Sequence, residues 1–169
     1  RATGEVDFAA VMERMRRLRA GISHNDSAKR LRGLGVDVYL GEAKFVAPDA
    51  VVVDGRRLGF SRAVIATGAR AASVALPGFA DVGHLTNETV FSLTRLPRRL
   101  IVVGAGPIGC ELAQAFRRLG SEVTVVGRAP RLLPREDPDA SGVLAVRFGR
   151  EGIATALGAT LRGVERRAD

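Results

Sequence analysis

Cysteine is nearly missing from this chain: of 169 residues only Cys110 is one. A lone thiol excludes an intramolecular disulfide scaffold and any paired-cysteine zinc or redox motif within the sequence. Tryptophan is absent, Tyr39 is the single tyrosine and aromatics make up only 5%, a thin supply for stacking single-stranded nucleic acid. Lysine is scarce as well, since 24 of the 26 basic residues are arginines and only Lys29 and Lys44 are not. No apolar run approaches the roughly 18 residues of a membrane span, so no membrane partner is expected. Nor does a basic and then apolar leader open the chain. It starts on Arg1 instead of methionine, so a piece of a longer protein is expected, with the cytoplasm as its compartment.

What is present is a globular balance, 46% hydrophobic and 26% charged, enough Val, Leu, Ile and Ala to bury a core. The net charge of +8 is spread: residues 1–70 carry 13 basic and 8 acidic groups, and residues 71–169 carry 13 and 10. Nucleic-acid binding calls for a basic face with readout residues. An even scatter of arginines is no such face, so no nucleic-acid partner is expected.

Periodicity divides the chain. Phe8, Val11, Met12, Met15 and Leu18 recur at helical spacing, which predicts an amphipathic helix from Phe8 to Ala20 with its arginines toward water. A second helix is predicted from the cap-rich Ser23–Asp26 to Gly33 or Gly35. Short strands follow at Val36–Leu40, Ala43–Val46, Val51–Val53 and Arg57–Phe60, the last two joined by Asp54-Gly55, a two-residue hairpin signal. Ala63-Val64-Ile65-Ala66 is apolar on both faces, as expected of a buried parallel strand. An ordered connection over Ala71–Pro97 leads to strand Leu100–Val103, helix Pro107–Leu119, strand Val123–Val126, a helix near Asp139–Arg150 and a strand at Ile153–Leu157. That alternation predicts a parallel sheet covered by helices. Thr160–Arg167 is a candidate for one more strand.

The sharpest motif is Gly104-Ala105-Gly106-Pro107-Ile108-Gly109. GxGxxG alone is weak, but here it follows an apolar strand, opens an amphipathic helix and precedes a second strand, which is the context of a dinucleotide fingerprint. Gly104 permits the tight turn, Gly106 lets a pyrophosphate approach the backbone, and Gly109 allows close packing of helix on sheet. Unpaired N–H groups and the positive end of the helix dipole then favour the phosphates. Pro107 removes one donor at little cost in the first turn. About 20 residues past the first glycine an NAD site usually offers an acid to the ribose 2′-hydroxyl. Gly127 and Arg128 stand there, so no carboxylate repels a 2′-phosphate and a guanidinium is at hand to bind one. NADP is the expected coenzyme, with NAD the alternative. Arg131 and Arg135 either assist or are simply exposed.

The strand ending Ala66-Thr67-Gly68-Ala69, followed by this GxGxxG unit, resembles the FAD-dependent pyridine nucleotide-disulfide oxidoreductases. The resemblance runs from Gly41-Glu42-Ala43 to Arg135-Glu136-Asp137-Pro138. Within the family, Gly109-Cys110-Glu111-Leu112-Ala113-Gln114-Ala115-Phe116 and Arg135–Pro138 are most similar to mercuric reductase and its relatives. The resemblance implies a partial two-domain α/β architecture, a parallel βαβ sheet plus an antiparallel β-meander. Residues 1–82 would then be the rear of an FAD-binding domain, 83–98 a connection, and 99–169 the front of an NAD(P)-binding domain. It further implies FAD contacts at Thr67 and Gly68 and at Glu42 and Ala43, and a place near the flavin for Glu111, which on its own reads equally as a solvated helix charge.

The family's first GxGxxG, its Cys-x4-Cys redox pair and its His-Glu pair do not occur in this sequence. Cys110 is expected in the core, and His24 and His84 receive no catalytic role. The implied activity is therefore that of a larger flavoprotein, a homodimer passing hydride from NAD(P)H to FAD and on to a disulfide, thiol or metal-ion substrate. The isolated piece is expected to be inactive. A flavin-dependent reductase without a redox disulfide, or a non-catalytic nucleotide-binding redox sensor, remains an alternative.

Overall fold

In the computed structural model, residues 6–72 and 75–166 are described. They fall into two compact units, Met15–Arg70 and a second made of Arg1–Arg14 with Ala71–Asp169. The boundary lies inside the first helix, after Arg14.

Helix α1 (Phe8–Ile22) runs two residues past its predicted end. Asp7 starts it, accepting the backbone N–H of Ala10 at 3.0 Å. The predicted second helix divides. Ser23–Asp26 is a 3₁₀ turn, and α2 (Ala28–Gly33) begins only after Ser27, whose side chain caps the N–H of Arg30.

The smaller unit centres on an antiparallel sheet of order β1-β2-β3, β1 being Ala43–Ala47, β2 Ala50–Val53 and β3 Arg56–Gly59. Asp54 and Gly55 both have positive φ, 47° and 79°, the conformation a two-residue type I′ turn demands. Ala50 and Val53 are its buried apolar residues, and Phe45 meets Phe60 edge to face at 5.9 Å.

Two expected strands in this unit do not form: Val36–Leu40 and Ala63–Ala66 are irregular. Val64 and Ile65 are 92% and 71% exposed. A parallel strand exists only through its neighbours, and among the described residues the one parallel sheet belongs to the other unit. Apolar character at Val64 and Ile65 thus has no ladder to join.

The larger unit is the βαβαβ arrangement. After the short helix α3 (Phe79–Val82) and a 3₁₀ turn at Val90–Ser92, strand β4 (Arg99–Val103), helix α4 (Pro107–Leu119), strand β5 (Glu122–Gly127), helix α5 (Pro138–Glu151) and strand β6 (Ala154–Leu157) alternate. The three strands are parallel in the order β4-β5-β6. Helix α4 packs on β4 and β5 with Cys110, Ala113 and Phe116 buried. Phe116 meets Phe8 of α1, ring centroids 6.0 Å apart. Val123 and Val125 beneath them, with Leu132, Phe148 and Ile153, complete the core.

Residues 160–166 form no strand; Arg167, the end of that expected strand, lies outside the described residues. The segment is tied instead by Val164 N–H to the Pro77 carbonyl at 2.9 Å. Among the described residues no helix is long and apolar enough to cross a membrane.

Candidate dinucleotide site

Strand β4 delivers its chain end to the glycine turn. Gly104 has φ 117°, a backbone state open to glycine, and its N–H donates to the Val126 carbonyl of β5 at 2.8 Å. The turn therefore hangs on the neighbouring strand's C-terminal end, where open parallel sheets bind ligands. At Gly109 an added Cβ would overlap the Gly104 carbonyl oxygen, so the third glycine is required for α4 to sit this close. Gly106 differs: nothing lies within 4 Å of where its Cβ would be. The chain itself leaves that space free.

Helix α4 opens at Gly106 without any side-chain cap, with Pro107 in its first turn and no acid there. The N–H groups of a first turn have no acceptor within their own helix. Ile108 is exposed beside them. A cleft of about 350 Å³ adjoins the turn, lined by Gly106, Pro107, Leu133, Pro134, Arg135 and Glu136.

At the end of β5, Gly127 is packed from within. A Cβ there would stand 3.1 Å from the Ala105 Cβ and 3.5 Å from Leu157 Cδ2. Arg128 follows it, exposed. Arg131, expected either to assist with a phosphate or to be simply exposed, is half-buried. Its guanidinium donates to the carbonyls of Leu133 (3.2 Å), Pro134 (2.8 Å) and Glu136 (2.9 Å). Arg135 is exposed and lines the cleft.

Cys110 is buried. Its thiol donates to the Ala105 carbonyl at 3.5 Å, and burial above all, with Glu111 adding to it, pushes its pKa up. A protonated, enclosed thiol is a poor nucleophile, as expected of a core residue. Glu111 itself is exposed on α4.

The remaining expected residues lie in the other unit. Glu42 and Ala43 are exposed at the start of β1. Glu42 forms an ion pair with Lys44 at 3.5 Å and lines a separate cleft of about 320 Å³ with Val52 and Asp54. Thr67 and Gly68 are exposed, Gly68 with φ 71°.

Of the wall formed by Leu133, Pro134 and Glu136, only Glu136 falls in a sequence motif, Arg135–Pro138, and there it carries the resemblance and no site role. Leu133 has φ 46°, a state that sequence signals through Gly or Asn and not through leucine.

Comparison with known proteins agrees with this architecture. Residues 6–169 match the pyridine nucleotide-disulphide oxidoreductase family, and the chain belongs to that family. It is 34% identical to a mercuric reductase of Bacillus cereus over 99% of its length and 27% of the relative's. It is 34% identical to a dihydrolipoyl dehydrogenase of Thermus scotoductus over 82% of its own length and 30% of that enzyme. Among solved structures, the Cu(II) complex of the HOCl-induced flavoprotein disulfide reductase RclA from Escherichia coli superposes with a TM-score of 0.82 at 25% identity. That match covers 97% of this chain and 38% of RclA. LpdA from Mycobacterium tuberculosis gives 0.78 at 29%, covering 99% and 39%. The chain thus spans about a third or less of the length of the curated relatives it matches.

Proposed function

We propose that this chain supplies part of two dinucleotide sites in a longer flavoprotein oxidoreductase, with NADPH on the Gly104–Gly109 turn and FAD on Glu42, Ala43, Thr67 and Gly68. In this reading residues 1–82 belong to the FAD domain, 83–98 connect, and 99–169 belong to the NADP domain of a cytoplasmic homodimer. When bound, the nicotinamide supplies hydride and the flavin accepts it for delivery to a disulfide, thiol or metal-ion substrate.

The single observation that carries the reading is the bare start of α4. Gly106 lacks a Cβ and has free space over it, no side chain caps the helix and no acid sits in its first turn. The residues present therefore fit a diphosphate: N–H groups and the positive helix end face an opening that the chain does not fill itself. Pro107 and Ile108 would flank the phosphates, Gly109 holds the helix down on the sheet, and Arg128 would meet a 2′-phosphate beyond Gly127. Glu111 would lie toward the flavin. Glu42, Ala43, Thr67 and Gly68 are exposed, which suits recognition of the second dinucleotide, and family membership supports that assignment.

Titration of the intact polypeptide with NADPH and NADH tests this. NADPH is expected to bind the more tightly, and Arg128→Ala to remove most of the preference. Binding of neither coenzyme refutes the proposal.

A further inference from the structure

We propose that Arg131 is a positioning residue for the coenzyme, holding the loop Leu133–Glu136 as one wall of the phosphate cleft without touching the coenzyme itself. The inference rests on the coenzyme reading above and goes beyond it, because that reading gives Arg131 no part. Three observations meet on this side chain.

First, its guanidinium donors are turned onto the loop's own backbone. They reach Pro134 O at 2.8 Å, Glu136 O at 2.9 Å and Leu133 O at 3.2 Å. Guanidinium is a planar fork of five donors, and this pattern uses the fork to close a short arc of chain. Second, the arc is strained. Leu133 holds φ 46°, a left-handed state disfavoured for a branched residue, which persists only where its surroundings over-determine it. Third, the arc is fastened to the turn it faces. Leu133 N–H donates to Ala105 O at 2.8 Å, inside the GxGxxG motif, and Glu136 N–H donates to Leu133 O at 3.0 Å. Next to it, buried Leu132 gives its carbonyl to the Ser141 hydroxyl of α5 at 2.6 Å.

The loop and the glycine turn therefore form one fastened body, and the cleft lined by Gly106, Pro107, Leu133, Pro134, Arg135 and Glu136 is the space between them. Strain at an outlier beside a ligand cleft is a sign of pre-organisation. With Arg131 removed, three carbonyls lose their shared donor and Leu133 can relax toward ordinary φ. The wall then moves, and it moves for any coenzyme using the diphosphate turn.

The test compares wild-type intact polypeptide with Arg131→Ala and Arg131→Lys, titrating each with NADPH and with NADH and recording flavin content alongside. Positioning predicts weaker binding of both coenzymes by the same factor, on the order of tenfold for loss of a charged hydrogen-bonding group. The NADPH-to-NADH ratio stays unchanged and lysine fails to rescue, because a compact ammonium lacks the extended fork by which two guanidinium nitrogens reach the three carbonyls. Rescue by lysine would show that charge alone matters and overturn the proposal. Loss confined to NADPH would show direct 2′-phosphate contact and overturn it too. Unchanged binding in both variants, with normal wild-type binding, sinks this inference alone. A wild-type protein that binds neither coenzyme sinks the coenzyme reading and this inference with it. Should Arg131→Ala fail to fold, Arg131→Lys decides by itself.

Discussion

Helices α4 and α5 begin almost alike and end up doing opposite things at their starts. Each has proline in its first turn and glycine in the left-handed state beyond its last, Gly120 and Gly152. They differ in one residue at the N-cap. Asp137 places a carboxylate on α5 and accepts the N–H of Asp139 at 2.8 Å, with Asp139 adding a second negative charge to the first turn. Gly106 gives α4 nothing at all. The positive end of α5 is answered from within the chain, whereas that of α4 faces an opening. Helix formation alone would favour a capping side chain at both places, though over glycine by only about a few tenths of a kcal/mol. On the proposed reading, its omission at α4 leaves the place that the coenzyme's diphosphate would take.

Converting one start into the other is the strongest way to break the contrast. Gly106→Asp would cap α4 with its own carboxylate. NADPH binding by the intact polypeptide is expected to fall by about a hundredfold, equivalent to ~2.7 kcal/mol, as a like charge occupies the phosphate position. Equilibrium titration checks this, with the melting temperature unchanged or raised. A variant that still binds coenzyme normally would show that the bare cap has no such role.

Gly109→Ala separates packing from binding at the same turn. Its Cβ overlaps the Gly104 carbonyl, so helix and turn must move apart, at a cost of roughly 1–3 kcal/mol typical of overpacking. Chemical denaturation should show the loss directly, and Gly106→Ala, placed in open space, should show only the smaller loss that comes from a poorer N-cap.

At the other helix, Asp137→Ala should cost about 1 kcal/mol of stability and leave coenzyme affinity untouched. Parallel melting and titration measurements would blur the distinction between the helices if affinity fell as well.

The smallest effect concerns the far end of α5. Arg118, at 2.8 Å from Glu151 Oε1, and then Arg147 at 2.5 Å hold that carboxyl below the ordinary glutamate value. The folded state then binds the Glu151 proton more weakly than the unfolded chain does. Its stabilisation is complete above the unfolded value, roughly pH 4.3, and is lost as pH falls through the lower folded value. Acid titration of stability should be shallower over that window in Glu151→Gln than in the wild type.

Much of the larger unit was legible because its signals are local. The βαβαβ order follows from apolar runs, helical spacing and glycine punctuation, and the Asp54-Gly55 hairpin from the backbone freedom its turn needs. Val36–Leu40 and Ala63–Ala66 misled for the complementary reason. Their composition suits strands, but a strand is made by the chain beside it, and composition does not say whether that chain is there. The site divides in the same way. Gly104, Gly106 and Gly109 announce themselves by spacing, while Arg131 shows a charge and hides its partners. Three backbone carbonyls have no letter in a sequence, and neither does the turned conformation of Leu133.

The close packing of Gly127 against Ala105 also bears on how coenzyme choice can drift. Installing the acid that would greet an unphosphorylated ribose presses the new side chain's root on Ala105, whose carbonyl anchors both Leu133 and the Cys110 thiol. A lone Gly127→Glu exchange would require Ala105 to give by a few tenths of an ångström, and a glycine at 105 would relieve that contact. On the proposed reading, coenzyme preference at Gly127 is coupled to the Ala105 methyl group in the glycine turn.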